Sequence, residues 1–349
     1  MPPASPPRRV TMAQVARRAG VSMMTASYTY NRPDRVSEAS RAKVLAAAAE
    51  LGYAGPDASA RSLRYGSSRT LGLVLGEHLT YAFEDPQATS FLAGIADVCA
   101  ERGYGLLIVP ITGTDDDAER VAAAAVDAFI VWTTADDDPV LDAARGTQRP
   151  VVIHGGPARA GFTLVSIDNR AAAREVGRAA FAGAARPAVI SFPLDRARRT
   201  ELVAGLDPAA ALFPVTRERL EGYREAAEDL GIRWSDVLVG VCATNDAGEA
   251  RSLAEQLLAL DPPVDAIAAM SDQQALGVLR AGVAAARAVP ERLSVTGWDD
   301  SAVAADNALT TLAQDLRAQG VACARAALGE DPGSSADAWS LVRRASTRP

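Results

Sequence analysis

The chain has 349 residues, 48% of them apolar, which is enough for a small head domain and two further lobes of ordinary size. The formal net charge is −7, but residues 1–66 carry +6 and residues 67–349 carry −13, so the basic head suits a polyanion. No run of about 18 apolar residues predicts a membrane span, and the Pro-rich residues 1–9 read as a disordered tail without the apolar stretch of a signal peptide.

Residues 10–56 carry the pattern of a small helical domain. Thr11 followed by Gln14 fits a capping box, in which the hydroxyl and the amide satisfy each other's free backbone N–H groups. The helix that follows ends at Gly20, which tolerates a left-handed conformation, and Ser22 caps a second helix almost at once. Two helices joined by so tight a turn are typical of a helix-turn-helix domain, whose second helix enters the major groove of DNA.

A third helix and a hinge complete the head. Ser37 begins the third helix and Gly52 ends it. Beyond it, residues 57–68 are the predicted hinge helix and linker. Asp57 caps a helix over residues 58–64, which is too short to be stable alone.

This stretch resembles the N-terminal region of the lactose-repressor (LacI/GalR) family of bacterial transcription regulators. The residues that carry the resemblance are Thr11, Val15, Ala16, Ala19-Gly20-Val21-Ser22, Thr25, Ser27, Asn31, Val36-Ser37, Arg41, Val44, Leu51-Gly52-Tyr53 and, for the hinge helix, Ala60-Arg61-Ser62-Leu63-Arg64. It implies a homodimer on double-stranded, pseudo-palindromic operator DNA, where the hinge helices pair, Leu63 wedges into the minor groove, and Arg61 and Arg64 reach phosphates. The alternative is that Leu63 is an exposed linker residue.

The second helix holds the positions that choose the DNA sequence. Its exposed face is expected to carry Met23, Met24, Ser27 and Tyr28. The resemblance assigns base reading to Met23, Met24 and Tyr28, which offer apolar contact with thymine methyls but not the bidentate guanine contact of an arginine. We therefore expect an atypical operator; the alternative places one methionine in the head's core. Residues expected to position phosphates or cap helices are Thr11, Ser22, Thr25 and Asn31.

From residue 70 on, short apolar runs alternate with amphipathic stretches. The predicted strands are residues 71–75, 105–109, 128–132, 151–154, 163–167, 188–192, 237–241, 266–270 and 293–296. Helices predicted between them include residues 91–102, 171–182, 217–230 and 273–287. Alternation of strand and helix at this spacing indicates an α/β fold of parallel sheets covered on both faces.

The number of strands, with a break near residues 168–170, predicts two lobes. A weaker family resemblance covers this part, carried by Arg219-x-x-Gly222-Tyr223, Ser271-Asp272-x-x-Ala275-Leu276-Gly277, Gly297-x-Asp299-Asp300 and Leu309-Thr310-Thr311-x-x-Gln314. It implies a core like the periplasmic sugar-binding proteins, with three crossings between the lobes and a ligand beyond the carboxyl ends of the strands.

These patterns together give the expected domain organisation. After the tail at residues 1–9 come the helix-turn-helix domain at residues 10–56 and the hinge at residues 57–68. The effector-binding and dimerisation domain is expected at residues 69–330, and a C-terminal tail at residues 331–349. Within that domain, the N-lobe is expected at residues 69–166 and 299–330, and the C-lobe at residues 167–298.

Seven residues are candidates for contact with an effector in the cleft. Asp168, Asp272 and Asp299 each follow a strand end, where carboxylates accept hydrogen bonds from sugar hydroxyls. Arg219, near the start of a helix, offers a guanidinium fork. Candidate aromatic platforms are Phe83, Phe192 and Trp298. The alternatives are helix N-caps for Asp168 and Asp272, a surface ion pair for Arg219, and a core role for the aromatics.

The sequence predicts a cytoplasmic transcriptional repressor whose operator affinity is controlled by a sugar or related metabolite. The two histidines lie in no metal-ligand or nucleophile motif, and no phosphate-binding loop is present, so we do not expect an enzyme, a metal or a cofactor. The three widely spaced cysteines indicate buried thiols. The alternatives are a cytoplasmic sugar-binding sensor and a ligand-independent regulator with a degenerate cleft. A homodimer is expected, because residues 331–349 lack the leucine heptads of a tetramerising helix.

Overall fold

The computed structural model describes residues 10–55, 67–77, 79–114 and 116–349, and the chain forms two compact units that meet in sequence between Ser68 and Arg69. The predicted tail at residues 1–9 lies outside the described residues. So does nearly all of the predicted hinge, including Asp57, Arg61, Leu63 and Arg64.

The first unit contains three α-helices with the predicted caps. They are α1 (Met12–Ala19), α2 (Met23–Asn31) and α3 (Glu38–Leu51), with a 3₁₀ turn at Pro33–Arg35 between the last two. The capping box of Thr11 with Gln14 is confirmed, and Gly20 and Gly52 end α1 and α3 with φ of +65° and +68°. The small core that holds the helices together comprises Val15, Ala16, Ala26, Val44, Ala47 and Ala48.

The second unit begins with a lobe built on a five-stranded parallel sheet. Its strands, in the spatial order β2-β1-β3-β4-β5, are β1 (Thr70–Leu75), β2 (Gly105–Pro110), β3 (Ala128–Trp132), β4 (Val151–His154) and β5 (Thr163–Val165). The helices that connect them are α4 (Tyr81–Glu84), α5 (Pro86–Arg102), α6 (Asp116–Ala123) and α7 (Pro139–Gly146). Buried apolar clusters lie on both faces of the sheet, which explains its nearly continuous apolar strands. We call this the N-lobe.

The other lobe, the C-lobe, repeats this arrangement. Its helices are α8 (Asn169–Phe181), α9 (Pro214–Asp229), α10 (Ala247–Leu258), α11 (Asp272–Ala284) and α12 (Ala302–Asp306), with 3₁₀ turns at Pro208–Ala210 and Trp234–Asp236. Its strands are β6 (Pro187–Ser191), β7 (Glu201–Ala204), β8 (Leu238–Val241), β9 (Ala266–Ala269) and β10 (Ser294–Thr296), in the order β10-β9-β6-β8-β7. All pairs are parallel except β7 with β8. Each predicted strand is present, and the predicted α/β fold is confirmed.

The chain crosses between the lobes three times, as the family resemblance implied. The first crossing follows β5. The second lies between β11 (Thr311–Gln314) in the C-lobe and α13 (Leu316–Ala327), which packs on α5 in the N-lobe. The third runs from α13 back to β12 (Trp339–Val342), the antiparallel partner of β11.

Two of the expected boundaries within this unit differ from the structure. Residues 299–314 were expected in the N-lobe but lie with the C-lobe, because Thr296 bridges to Thr310 and Asp299 to Ala313. Residues 331–349 were expected as a tail but are folded into the C-lobe, where the Ser346 hydroxyl donates to the Val295 carbonyl at 2.6 Å. Among the described residues, no helix has both the length and the apolar character needed to cross a membrane.

Candidate functional site

Helix α2 of the first unit presents an exposed face with apolar side chains. Met23 and Met24 are 55% and 62% exposed, so neither belongs to the head's core. Ala26 and Thr29, on the opposite face of α2, are buried. Tyr28 is half-buried. The face predicted to read bases is therefore accessible at the surface of this unit.

The polar candidates of the head are held by hydrogen bonds within it. Thr11 and Ser22 cap α1 and α2, and the Thr25 N–H donates to the Ser22 hydroxyl at 3.0 Å. The Asn31 amide donates to the Ser27 hydroxyl at 3.3 Å. Thr11 and Ser22 therefore act as helix N-caps. Both lie at helix N-termini, whose free backbone N–H groups are suited to binding phosphate. The exposed basic side chains of the three helices and the 3₁₀ turn between them are Arg17, Arg18, Arg32, Arg35, Arg41 and Lys43.

The second unit contains a cavity of about 140 Å³ between its two lobes, at the carboxyl ends of strands from both sheets. That is roughly ten times the space that one buried water molecule needs, so a ligand of many atoms fits. The aromatic rings that line the cavity are Tyr81, Trp132, Phe192 and Phe213. Aromatic walls with a few converging polar groups are typical of a small-molecule site.

Arg219, on α9, is the buried cation of this cavity. Its Nε donates to Asn169 Oδ1 at 3.1 Å and its Nη1 to the Met270 carbonyl at 2.7 Å, while the guanidinium stacks 3.7 Å from the Trp298 ring centroid. These contacts fix the plane of the guanidinium and leave Nη2 without a hydrogen bond to any described residue. Burial lowers the pKa of Arg219 to about 10, so the side chain remains charged at neutral pH.

Asp299 is one of two acidic residues that line the cavity, the other being Glu77, and it follows β10 by three residues. Its φ of +106° is a conformation that favours glycine, and the Asp299 N–H holds it by donating to the Leu312 carbonyl at 2.7 Å. Such strained positions cluster at binding sites. Burial raises the pKa of Asp299 well above its usual range, an effect that the positive charge of Arg219 opposes. No described carboxylate forms an ion pair with Arg219 within 4 Å, so the guanidinium and the Asp299 carboxyl group both remain available to a ligand.

Two glutamines join Asp299 to His154 across the crossing between the lobes. Gln314 Nε2 donates to Asp299 Oδ1 at 2.7 Å, and Gln319 Nε2 donates to Gln314 Oε1 at 3.1 Å. Gln319 Oε1 lies 2.7 Å from Nε2 of His154, which ends β4. We call these four residues the amide relay. All of them line the cavity.

Polar contacts also join the lobes around the cavity. Three ion pairs and one hydrogen bond, which we call the interlobe clasp, connect Arg196 with Asp137 (2.9 Å), Arg198 with Glu77 (2.8 Å), Arg217 with Asp136 (2.8 Å) and Asn245 with Asp85 (3.0 Å). The arginines all come from the C-lobe and the carboxylates all from the N-lobe, so the two rims have opposite charge.

The structure brings three of the seven predicted effector residues to the cavity wall, namely Arg219, Asp299 and Phe192. Trp298 is fully buried beneath Arg219 and supports it. Arg219 itself is 5% exposed, which contradicts the alternative of a surface ion pair.

The other three predicted effector residues lie away from the cavity. Asp168 is exposed and caps α8, which is its capping alternative. Asp272 does not cap α11, because Ser271 does. The Asp272 carboxylate instead accepts hydrogen bonds from Ser301 and Thr311 and thereby holds the loop that carries Asp299. Phe83 is 66% exposed on the short helix α4.

Sequence reasoning missed several residues that line the cavity. Trp132 and His154 are the last residues of β3 and β4, so their positions at strand ends already indicate that they face the cleft, as for the acidic candidates. Gln319 gives no such signal, because it lies within a helix whose position in the N-lobe follows only from the second crossing. The three cysteines are buried, as predicted.

The comparisons with known proteins agree with this geometry. The family described as "Bacterial regulatory proteins, lacI family" matches residues 11–55, and the "Periplasmic binding protein-like domain" family matches residues 196–347. An HTH-type transcriptional regulator of Mycobacterium tuberculosis is 37% identical over 315 residues, which are 89% of this chain and 88% of the relative.

Solved structures give the same similarity over almost the whole chain. A LacI-family transcriptional regulator from Corynebacterium glutamicum has a TM-score of 0.73 and 30% identity, covering 98% of this chain and 100% of that one. The transcriptional regulator CelR in complex with cellobiose has a TM-score of 0.66 and 28% identity, covering 97% and 100%.

Proposed function

Since this chain belongs to the lacI family of bacterial regulatory proteins, we propose that it is a repressor whose affinity for operator DNA is controlled by a neutral, polyhydroxylated small molecule. The effector, a sugar or a related metabolite, binds between the two lobes. The relatives are transcriptional regulators, which supports a regulatory rather than a catalytic role, in the cytoplasm where the DNA is.

The balance of charge in the cavity is the observation that carries the choice of effector. Arg219 and Asp299 supply one cationic and one acidic group, and Arg198 and Glu77 already pair with each other at 2.8 Å. A phosphorylated ligand would bring up to two negative charges beside the Asp299 carboxyl group, where Arg219 is the one cavity cation without a carboxylate partner among the described residues, and this excess of negative charge is costly away from water. A neutral molecule with hydroxyl groups meets donors and acceptors at once.

The aromatic walls support the same class of ligand. Phe192 lies 5.5 Å from the Arg219 guanidinium, and Trp132 packs 4.7 Å from Phe91. The apolar C–H faces of a sugar ring suit such rings, while its hydroxyls reach the amides and the charged pair. The cellobiose complex of CelR, a protein with the same fold and 28% identity, supports a carbohydrate.

On the DNA side, we propose that two copies of the chain bind a pseudo-palindromic operator through α2. Met23, Met24 and Tyr28 face the bases, with apolar contact to thymine methyls in place of hydrogen bonding to guanine. Leu63 at the hinge wedges into the minor groove, with Arg61 and Arg64 on phosphates. Thr11, Ser22, Thr25 and Asn31 contact the phosphates of the DNA backbone, and Ser27 lies on the same face of α2 as Met23, Met24 and Tyr28.

The two activities are coupled through the lobes. A ligand that contacts Arg219 in the C-lobe and the amide relay in both lobes favours one lobe arrangement. That arrangement in turn sets how the hinges of a dimer are spaced on the operator. Coupling of this kind is typically worth 1–3 kcal/mol, or roughly 5- to 150-fold in affinity.

A thermal-unfolding screen tests the effector class. The full chain is heated with cellobiose, D-ribose, D-glucose or D-glucose 6-phosphate, each at millimolar concentration. We expect at least one neutral sugar to raise Tm and the phosphate ester to leave it unchanged. Stabilisation by the phosphate ester alone would contradict the proposal, and so would release of a cleaved product from any stabilising sugar.

A further inference from the structure

The direction of every hydrogen bond in the amide relay is fixed from one end. When Asp299 is ionised, its Oδ1 only accepts, so Gln314 must present Nε2 to it and Oε1 to the next residue. Gln319 then presents Nε2 to Gln314 and Oε1 to His154. An amide oxygen only accepts, so the proton on the His154 ring lies on Nε2.

The other nitrogen of the ring is consequently an acceptor. In a neutral imidazole that carries its proton on Nε2, Nδ1 has a free lone pair. His154 Nδ1 is buried and has no hydrogen-bond partner among the described residues. A buried polar atom without a partner is costly, and few are left so in folded proteins unless a ligand or water meets them.

The surroundings of His154 keep the ring neutral and in place. The side chain is 8% exposed, lines the cavity, and packs 4.6 Å from the Phe91 ring and 6.1 Å from the Trp132 ring. Burial lowers the pKa of His154 to about 4; the hydrogen bond with Gln319 opposes this shift and the positive charge of Arg219 adds to it.

We propose that His154 is a specificity-determining residue that accepts a hydrogen bond from a hydroxyl or N–H group of the effector through Nδ1, and that Gln319 is a positioning residue that sets the ring for this. The ligand half of this inference rests on the proposed function. The required ligand group is a donor, so a molecule that offers only a carbonyl or ether oxygen at this point is rejected.

The tautomer can be observed directly in the full chain without any ligand. The chain has only two histidines, so ¹⁵N-labelled imidazoles give two sets of two-bond ¹H–¹⁵N correlations, and His78→Gln assigns them. We expect the Nε2–H tautomer for His154 at pH 7. An Nδ1–H tautomer, which requires the relay to run in reverse from a protonated Asp299, or an imidazolium ring would overturn the inference.

Two substitutions of Gln319 separate positioning from packing. Gln319→Leu removes the acceptor, so we expect the two tautomers to mix, whereas Gln256→Leu on the exposed face of α10 should leave the spectrum unchanged. Gln319→Glu keeps the shape of the side chain but places a carboxylate beside the ring. The negative charge favours the imidazolium form of His154, in which Nδ1 carries a proton and donates. A Gln319→Leu spectrum identical to that of the unaltered chain would contradict the role of Gln319.

The ligand arm uses the sugars of the thermal screen, cellobiose first. A sugar that raises Tm should move the Nδ1 resonance of His154, and Gln319→Glu should weaken its binding about tenfold, the value of one good hydrogen bond. If a sugar raises Tm without moving Nδ1, the inference fails and the proposed function stands. If the tautomer is as expected and no sugar raises Tm, the proposed effector class fails instead.

Discussion

At the scale of single residues, His154 illustrates how a buried side chain sets the chemistry of the cavity. It lies at the end of β4, where burial lowers its pKa to about 4, so the ring is neutral at pH 7. The two charged groups nearest the ligand space, Arg219 and Asp299, are each held by neutral amides rather than by one another. Polar groups arranged in this way are ready to exchange bonds with a ligand without breaking an ion pair.

The pKa of His154 predicts how stability depends on pH. Because the folded pKa is about 4 and the ordinary value is 6.5, the unfolded chain binds a proton that the folded chain does not as pH falls through this window. The contribution to the free energy of unfolding is unchanged above pH 6.5 and declines by about 3 kcal/mol towards pH 4.

The test compares denaturant unfolding of the chain and of His154→Asn between pH 7 and 4.5. Burial raises the pKa of Asp85, Glu218, Asp272 and Asp299, which shifts stability in the opposite sense in both proteins. The difference between the two curves therefore isolates the histidine. We expect the variant to lose less stability than the parent on acidification; parallel curves would mean that His154 is not buried in the neutral form.

At the level of helices and strands, one helix pair sets the geometry of the relay. Helix α13 carries Gln319 and packs on α5 through facing glycines. A Cβ on Gly320 would lie 2.2 Å from the Phe91 carbonyl oxygen, and one on Gly94 would lie 2.0 Å from the Arg317 carbonyl oxygen. Only glycine permits this approach, since neither backbone oxygen can move without shifting its helix.

This close packing predicts the effect of one methyl group. Gly320→Ala should lower the free energy of unfolding by about 2–3 kcal/mol, because the two helices must separate. Gly146→Ala, at the end of α7 where a Cβ meets nothing within 4 Å, is the matched control and should be neutral or slightly stabilising. Urea unfolding of both variants measures the difference. Equal stabilities would show that α5 and α13 are not in contact as described.

The helices and strands also show which parts of the fold the sequence could predict and which it could not. Strands β1, β3 and β4 are apolar runs bounded by turns, and the caps at Thr11, Ser22 and Ser37 depend only on local residues, so both were predictable. Strands β7, β11 and β12 are four residues each and acquire their partners only through the folded chain.

The residues of the cavity also differ in how far the sequence predicts them. Arg219 lies in a family motif and Asp299 lies just beyond a strand, so both could be predicted. Gln319 reaches the cavity only because the chain crosses between the lobes before α13, and no local sequence pattern indicates that crossing. Asp272 also follows a strand, as Asp299 does, but its carboxylate accepts hydrogen bonds from Ser301 and Thr311 and does not line the cavity. A strand end places a carboxylate near the cleft, and tertiary hydrogen bonds decide which way it faces.

At the scale of the whole second unit, we expect the interlobe clasp to set how readily the cleft between the N-lobe and the C-lobe closes. Each ion pair spans the two lobes and is partly exposed, so each contributes only about 0.2–1 kcal/mol and is weakened by salt. Because the arginines all lie on the C-lobe rim and the carboxylates all lie on the N-lobe rim, each pair attracts the two lobes towards each other.

Removing the two clasp arginines that do not line the cavity, Arg196 and Arg217, should therefore weaken ligand binding. For Arg196→Gln with Arg217→Gln we expect a stabilising sugar to bind about 2- to 30-fold more weakly, with a smaller dependence on salt, because closure loses two attractions. Arg233→Gln, which removes an ion pair to Asp236 within the C-lobe alone, is the control. Calorimetric titration at low and high salt measures both. Unchanged affinity in the double variant would show that the clasp does not govern closure.

A neutral sugar in the cleft should change the affinity of the head for operator DNA. This effect is tested most directly by titrating an operator, selected from random duplexes by the purified full chain, with and without the sugar that raises Tm. We predict a 5- to 150-fold change in Kd, lost in Asp299→Ala although that variant still binds the operator. An operator Kd that is the same with the cleft saturated and without sugar would contradict the account.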